Sequence, residues 1–245
     1  ITAMHLTLSD EIQYFNIEVY EKNSFSPIRR ESEILQQKIT TIFKVTADIE
    51  TDIADIANQG EYDLVLVGLG KSIFEGTLLG KVLGFTTRIM NPDRLIDKFT
   101  GKEGLFENSL FDERTRQIIS KSKMPLGILV DKELNHVNYV FIPFFGLEDA
   151  FLIDFAQKLI YNNDSHISIL DMNGQIKNNF VIENAFEALE SKYPDNIALM
   201  DESVVKIEFL QKQDLMMISL ESWKNLVNSQ SVWLSDIPSI LIVRP

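Results

Sequence analysis

The chain has 245 residues, 45% of them hydrophobic and 24% charged, with a net charge of −13 and no cysteine. That length accommodates two domains of about 100 to 150 residues each. The missing cysteines exclude a disulfide framework or thiolate metal site, and the acidity works against binding to phosphate backbones or anionic lipid. No apolar run approaches the roughly 20 residues of a membrane span, and no basic-then-apolar leader opens the chain.

Residues 1–10 alternate strand-forming types from the first position, as if cut from something longer. A polar and aromatic connection over 11–26 should lead to a helix that opens at Pro27. Residues 39–45 are β-branched and aromatic, a second strand. Residues 49–60 carry apolar Ile49, Ile53, Ile56 and Ala57 at three- and four-residue spacing, an amphipathic helix closed by Gly60. The apolar run 64–67 then reads as a strand buried on both faces in mid-sheet.

The stretch that follows is the leading candidate site. Gly68 and Gly70 should turn the backbone sharply at the strand's C-terminal edge, and 73–82 is apolar enough to begin a helix packed on the sheet. Helix starts and strand ends of this kind favour anions. Gly68, Gly70, Lys71, Ser72, Gly76, Thr77 and Gly80 are the candidate ligand-binding residues: backbone N–H groups for a phosphate, Lys71 as a fixed positive charge, and Ser72 or Thr77 as hydroxyl donors. Two standard phosphate motifs fail here. A Walker loop would need glycine at Val65, and a dinucleotide fingerprint would need it at Ile73. The bland alternative is that these glycines serve tight turns, with Gly76, Gly80 and Gly84 forming a smooth stripe on one helix.

Residues 84–107, which include the helix-breaking Asn91 and Pro92, read as an insertion rich in charge, glycine, asparagine and proline. A helix over 111–120 and a buried strand over 125–131 follow. After a polar link the pattern restarts: a strand over 139–143, a helix over 147–161 with Leu147, Phe151, Phe155 and Leu159 inward, a strand over 167–170, a helix over 185–189 and a strand over 204–209. Asp214-Leu-Met-Met-Ile-Ser219 then matches Asp63-Leu-Val-Leu-Val-Gly68 in residue type. Pro238-Ser-Ile-Leu-Ile-Val-Arg244 likewise matches Pro125-Leu-Gly-Ile-Leu-Val-Asp131. An internal repeat of two α/β units is the strongest organisational signal. The span from aspartate to proline is 62 residues in the first copy and 24 in the second. Units of 1–134 and 135–245 are expected. Their Pro-apolar strands, as sheet edges, must pair with one another or with a second subunit.

This order of elements, present twice, resembles the universal stress protein fold. The resemblance implies a Rossmann-like open parallel sheet in each unit, with the first unit lacking its opening strand and helix. Gly70 and Gly80 keep the nine-residue spacing of that family's nucleotide-binding motif, while Val67 replaces its first glycine and Lys81 its hydroxyl residue. The ligand class the resemblance implies is an adenine nucleotide. The segment Val140-Phe-Ile-Pro-Phe-Phe-Gly-Leu-Glu-Asp-Ala-Phe, after Gly-Ile-Leu-Val-Asp and a short link, is similar to the tandem C-terminal region of cation/proton antiporters. That implies a regulatory domain on the cytoplasmic side of the cell membrane, with an N-terminal membrane transporter domain of the same polypeptide as its partner. The alternative is a free-standing nucleotide-binding universal stress protein.

Neither resemblance implies an enzyme, and the residues agree. His5, His136 and His166 lie apart, with no paired ligand at a metal-binding spacing, so no metal is expected. The acidic runs at 48–52 and 112–113 sit at helix starts, where carboxylates favour the dipole. No Gly-x-Ser-x-Gly elbow occurs. Phe144 and Phe145 read as core packing at a strand end.

Overall fold

The computed structural model describes residues 1–9, 16–69, 111, 113–200, 205–228, 234 and 236–245. The chain divides into two compact units: residues 1–62 with 113–123, and residues 63–112 with 124–245. It is a mixed α/β chain in which seven strands form one mostly parallel sheet. The boundary expected at 134/135 falls between two strands of that sheet.

The first unit holds two parallel strands, β1 (Thr2–Leu8) and β2 (Thr40–Thr46), with Thr2 opposite Thr40 and Leu8 opposite Thr46. Helix α1 (Ile17–Ile34) joins them, contrary to the expected helix start at Pro27. Pro27 lies inside the helix, where it removes one backbone donor. The helix is extended backwards by good helix formers such as Glu18, Glu21 and Lys22, and it is anchored by Phe25, which is buried. Helix α2 (Ile49–Gln59) starts where Asp48 Oδ1 accepts the Thr51 N–H at 3.0 Å. Gly60 follows it, but in extended rather than left-handed backbone. A Cβ there would overlap the Tyr62 ring, which would have to move to admit one. Helix α3 (Glu113–Lys121) is tied to α2 through Asn58, whose side chain donates to the Lys121 carbonyl and accepts the Lys123 N–H.

The second unit carries the seven-stranded sheet: β3 (Val65–Leu69), β4 (Leu126–Val130), β5 (Tyr139–Phe144), β6 (His166–Asp171), β7 (Ile197–Met200), β8 (Leu215–Ser219) and β9 (Ser239–Arg244), in the order β3-β4-β9-β8-β5-β6-β7. All neighbours run parallel except β4 and β9, where Leu126 lies antiparallel to Arg244 and Val130 to Ile240. The two Pro-apolar strands thus pair with one another. Arg244 reinforces the join by donating from Nη2 to the Met124 carbonyl at 2.9 Å.

Three expectations are corrected here. The strand read as mid-sheet, β3, is the end strand of the sheet among the described residues, and Leu66 is 57% exposed. An apolar run records that both faces of a strand are apolar; it does not record how many neighbours the strand has. The strand expected over 204–209 is instead a helical turn, α7 (Ile207–Leu210), and the third strand of this half is β7. The helix expected over 147–161 begins as a 3-10 turn at Leu147–Asp149 and continues as α4 (Leu152–Asn163). Its fully buried face is Leu152, Ile153, Ala156 and Ile160, with Leu147 exposed, so the inward stripe is displaced from the one expected. Between β6 and β7 lie α5 (Gln175–Asn178) and α6 (Phe180–Lys192), and α8 (Leu220–Asn228) follows β8. The core of this unit joins Val140, Ile142 and Phe144 of β5 to Leu152, Ile169, Phe186, Met217 and Val243.

Candidate functional site

Of the seven candidate residues, Gly68 is among the described residues; Gly70, Lys71, Ser72, Gly76, Thr77 and Gly80 lie outside them, as does the insertion read over 84–107. Gly68 does not make the turn expected of it. It sits within β3, opposite Leu129, and a Cβ there would meet nothing within 4 Å. Its lack of a side chain therefore leaves bare, open strand backbone near the end of β3.

The other end of the sheet shows what such a position can hold. Numbered from β5, the strands β7-β6-β5-β8-β9 stand in the order third, second, first, fourth, fifth, and the order reverses between β5 and β8. In open α/β sheets that reversal leaves a crevice beyond the strands' carboxyl ends. Local sequence opens it further. The Asp214 N–H donates to the Tyr139 carbonyl at 2.8 Å, so by the alternation of a strand Tyr139, Phe141 and Pro143 turn their backbones towards β8. Pro143 has no N–H to give. Pairing with β8 stops at Phe141 opposite Met216, while pairing with β6 runs on to Phe144 opposite Asp171.

Asp149 fills this opening. Its Oδ2 accepts the Phe145 N–H at 2.7 Å, the Gly146 N–H at 3.3 Å and the Ser222 hydroxyl at 2.8 Å. Ser222 stands in the first turn of α8, and its N–H donates to Ser219 Oγ at 3.1 Å, so Ser219 caps the helix. Asp149, Ser219 and Ser222 are all buried, and Oδ1 of Asp149 meets no donor among the described residues. A helix start and two strand-end amides, an arrangement that favours an anion, thus have the chain's own carboxylate in place. Glu221, on the same first turn of α8, is not the residue that does this. Glu221 is exposed and paired to Lys224 Nζ at 2.9 Å, and Asp149 is the opposing carboxylate.

Sequence reasoning missed Asp149. The available signal was Gly146 followed three residues later by an acid, the spacing at which a carboxylate reaches back to the amide at a helix start. Phe144 is buried in the core, as expected, and Phe145 supplies its amide to Asp149.

The remaining ionisable candidates have structural partners. His5 stacks on Phe43 with ring centres 5.7 Å apart, His136 Nε2 lies 3.4 Å from Asp214 Oδ1, and His166 packs against Tyr139. Asp48 is held below the usual carboxylate range by the Thr51 side-chain and backbone hydrogen bonds. Lys132 Nζ donates to the Ile237 carbonyl at 2.9 Å, and burial lowers its pKa to about 8. Among the described residues there is no cluster of three or more metal-ligating side chains, and no helix is long and apolar enough to cross a membrane.

No family model matches the chain, and no curated protein matches it in sequence. Among solved structures it is similar to a functionally unknown protein from Pseudomonas aeruginosa PAO1, at 11% identity and a TM-score of 0.49, over 99% of this chain and 82% of that one. It is also similar to a putative universal stress protein from Pseudomonas aeruginosa UCBPP-PA14, at 10% identity and a TM-score of 0.47, over 98% of this chain and 92% of that one. Neither likeness bears on what the chain binds or does.

Proposed function

We propose that the chain is a regulatory region built of two universal-stress-protein-like units in tandem, the first without its opening strand and helix, belonging on the cytoplasmic side of a monovalent cation/proton antiporter. The observation that carries this reading is the β4–β9 pair. Two sets of parallel strands, each containing an aspartate-led apolar strand and closing on a Pro-apolar strand, meet antiparallel at those closing strands in one sheet. Counted along the chain, β1 and β2, which form a two-stranded sheet of their own, followed by β3 and β4 would be the second to fifth strands of a unit, and β5 to β9 would be all five. Binding without catalysis is the role proposed, since the crevice between β5 and β8 is occupied by Asp149 and the Ser222 bonded to it. The test is cation/proton exchange in everted membrane vesicles carrying the parent polypeptide with and without residues 1–245. Exchange that persists but loses its response to ligand or pH supports the reading; a chain translated from its own start codon, with no transporter ahead of it, rejects it.

The glycine-rich sequence after β3 favours a second reading, a free-standing nucleotide-binding stress protein. In either reading an adenine nucleotide would bind at residues 68–80 alone, because Asp149 already holds the corresponding position after β5 and β8. Calorimetric titration with ATP, AMP and cyclic dinucleotides, on the parent and on Lys71→Ala with Gly70→Val, checks this. Binding that survives both changes rejects the site.

A further inference from the structure

We propose that the free edge of β3 is a docking site for an extended apolar polypeptide segment that adds to the sheet as a parallel strand, with its first amides held by Asp63. The inference rests on the tandem reading above and extends it to a partner.

The second half of the sheet contains the completed version of the same edge. There β8, the counterpart of β3, is flanked on both sides, by β9 and by β5, and all five of its residues are buried. The start of β5 is fixed by Asp214, the residue immediately ahead of β8. Its Oδ2 accepts the Asn138 N–H at 2.8 Å and the Tyr139 N–H at 2.9 Å, and its own N–H donates to the Tyr139 carbonyl. One aspartate thus sets the register of a whole strand against its neighbour.

In the first half, β3 has β4 on one side and no strand on the other among the described residues. The Val65 N–H donates to the Pro125 carbonyl at 2.9 Å, so Val65 and Val67 turn their backbones to β4, and Leu66 and Gly68 turn theirs to the open edge. Leu66 is 57% exposed, and Gly68 presents bare backbone. Asp63 stands where Asp214 stands, immediately ahead of the apolar run, and it is exposed with no hydrogen-bond or ion-pair partner among the described residues. The same acidic residue type that positions β5 is therefore present at β3, with no described residue held by it. An unpaired edge of this kind is a template for strand addition, in which main-chain hydrogen bonds give affinity and side-chain alternation sets register. By the counterpart, the fitting segment has the chemistry of β5, Tyr139–Phe144: aromatic and β-branched, entering amide-first at the aspartate.

The probe is a synthetic peptide with the sequence of residues 138–146, made soluble by lysines at both ends, added to the whole chain. Amide hydrogen exchange read residue by residue should show Leu66 and Gly68 slowed about tenfold or more at saturation, while a scrambled peptide leaves them unchanged. Asp63→Ala should weaken the peptide about tenfold without changing the protection of Ile128 and Ile242, which face one another across β4 and β9. Equal effects from parent and scrambled peptide, no slowing at saturation, or full affinity in Asp63→Ala would each overturn the proposal. So would edge amides that are already protected in the free chain in a concentration-dependent way, since a second copy would then cover the edge. Unprotected Ile128 and Ile242 would instead mark a failure of the tandem reading itself.

Discussion

Replacing Asp149 by alanine removes the one acceptor that three buried donors share. The Phe145 N–H, at 2.7 Å, and the Ser222 hydroxyl, at 2.8 Å, lose close, charge-assisted bonds, and the Gly146 N–H, at 3.3 Å, loses a weaker one. Each buried donor left without a partner costs about 1–3 kcal/mol, but the variant also escapes the cost of burying a carboxylate, and water can enter the space vacated. The stranded-donor costs less these two offsets give an expected net loss of about 3–5 kcal/mol. Asp149→Asn keeps the volume and one acceptor and should lose about 2 kcal/mol. Ser222→Ala should lose about 1 kcal/mol alone and less when combined with Asp149→Ala, because the hydroxyl is then no longer stranded. Both tryptophans, Trp223 and Trp233, belong to the second unit, so urea unfolding followed by their fluorescence reports that unit separately. A loss below about 1 kcal/mol for Asp149→Ala, or an asparagine variant as stable as the parent, would show that the charge of Asp149 does not hold β5 to α8.

Lys132 gives a pH signature. Its folded pKa of about 8 lies below the unfolded value of 10.5, so folding carries a penalty below pH 8 that is relieved as pH rises from 8 to 10.5. Discounted for its partial exposure, the relief should be about 1–2 kcal/mol. The difference in stability between the parent and Lys132→Met across that window measures it, and a flat difference refutes it. Gly68→Ala should be neutral or stabilising by up to about 1 kcal/mol, since open space surrounds the position and alanine restricts the unfolded chain. The same variant should weaken any ligand that needs close approach to the bare strand, and calorimetry on a variant of parent stability separates the two effects.

Much of this architecture was legible where the residue pattern and the local structure have the same cause. The Pro-apolar strands needed a covered edge and cover one another; Asp48 and its neighbours start a helix as carboxylates should; and the aspartate-led strands at 63 and 214 both form. Errors arose where a distant partner decides. Residues 197–200, Ile-Ala-Leu-Met, include three good helix formers and are a strand because β6 offers an edge to them, Ile167 opposite Ile197. Ile207–Leu210 look strand-like and form one helical turn in the connection to β8. Pro143 would ordinarily argue against a central strand; it is tolerated because β8 has already parted from β5 when the chain reaches it. Asp149 was invisible as a site residue because the helix start it closes is far along the chain, its partner Ser222 at a separation of 73.

The two units differ in how much of a sheet each possesses, and this sets where the chain is least secure. The second unit has seven strands and a contiguous core running from Val140 to Val243. The first unit has two parallel strands, and parallel sheets are rarely stable unless covered on both faces, with two strands below the number that usually stands alone. Its strands show the consequence: β1 buries only Thr7 fully and β2 buries none of its residues, whereas every residue of β8 is buried. Among the described residues of the first unit, the buried apolar side chains are Phe25, Ala54, Ala57 and Ile118, and two of these are too small to contribute much. Side-chain ties such as Asn58 to Lys121 and Lys123, Lys121 to Thr51, and Lys44 to Asp52 bind α2 to its surroundings, but exposed contacts of that type are each worth about 1 kcal/mol or less. The first unit therefore belongs to the low end of the chain's range of local stability, the end from which switching elements are drawn. The second is the fixed frame, with its own anion-favouring position already occupied by Asp149.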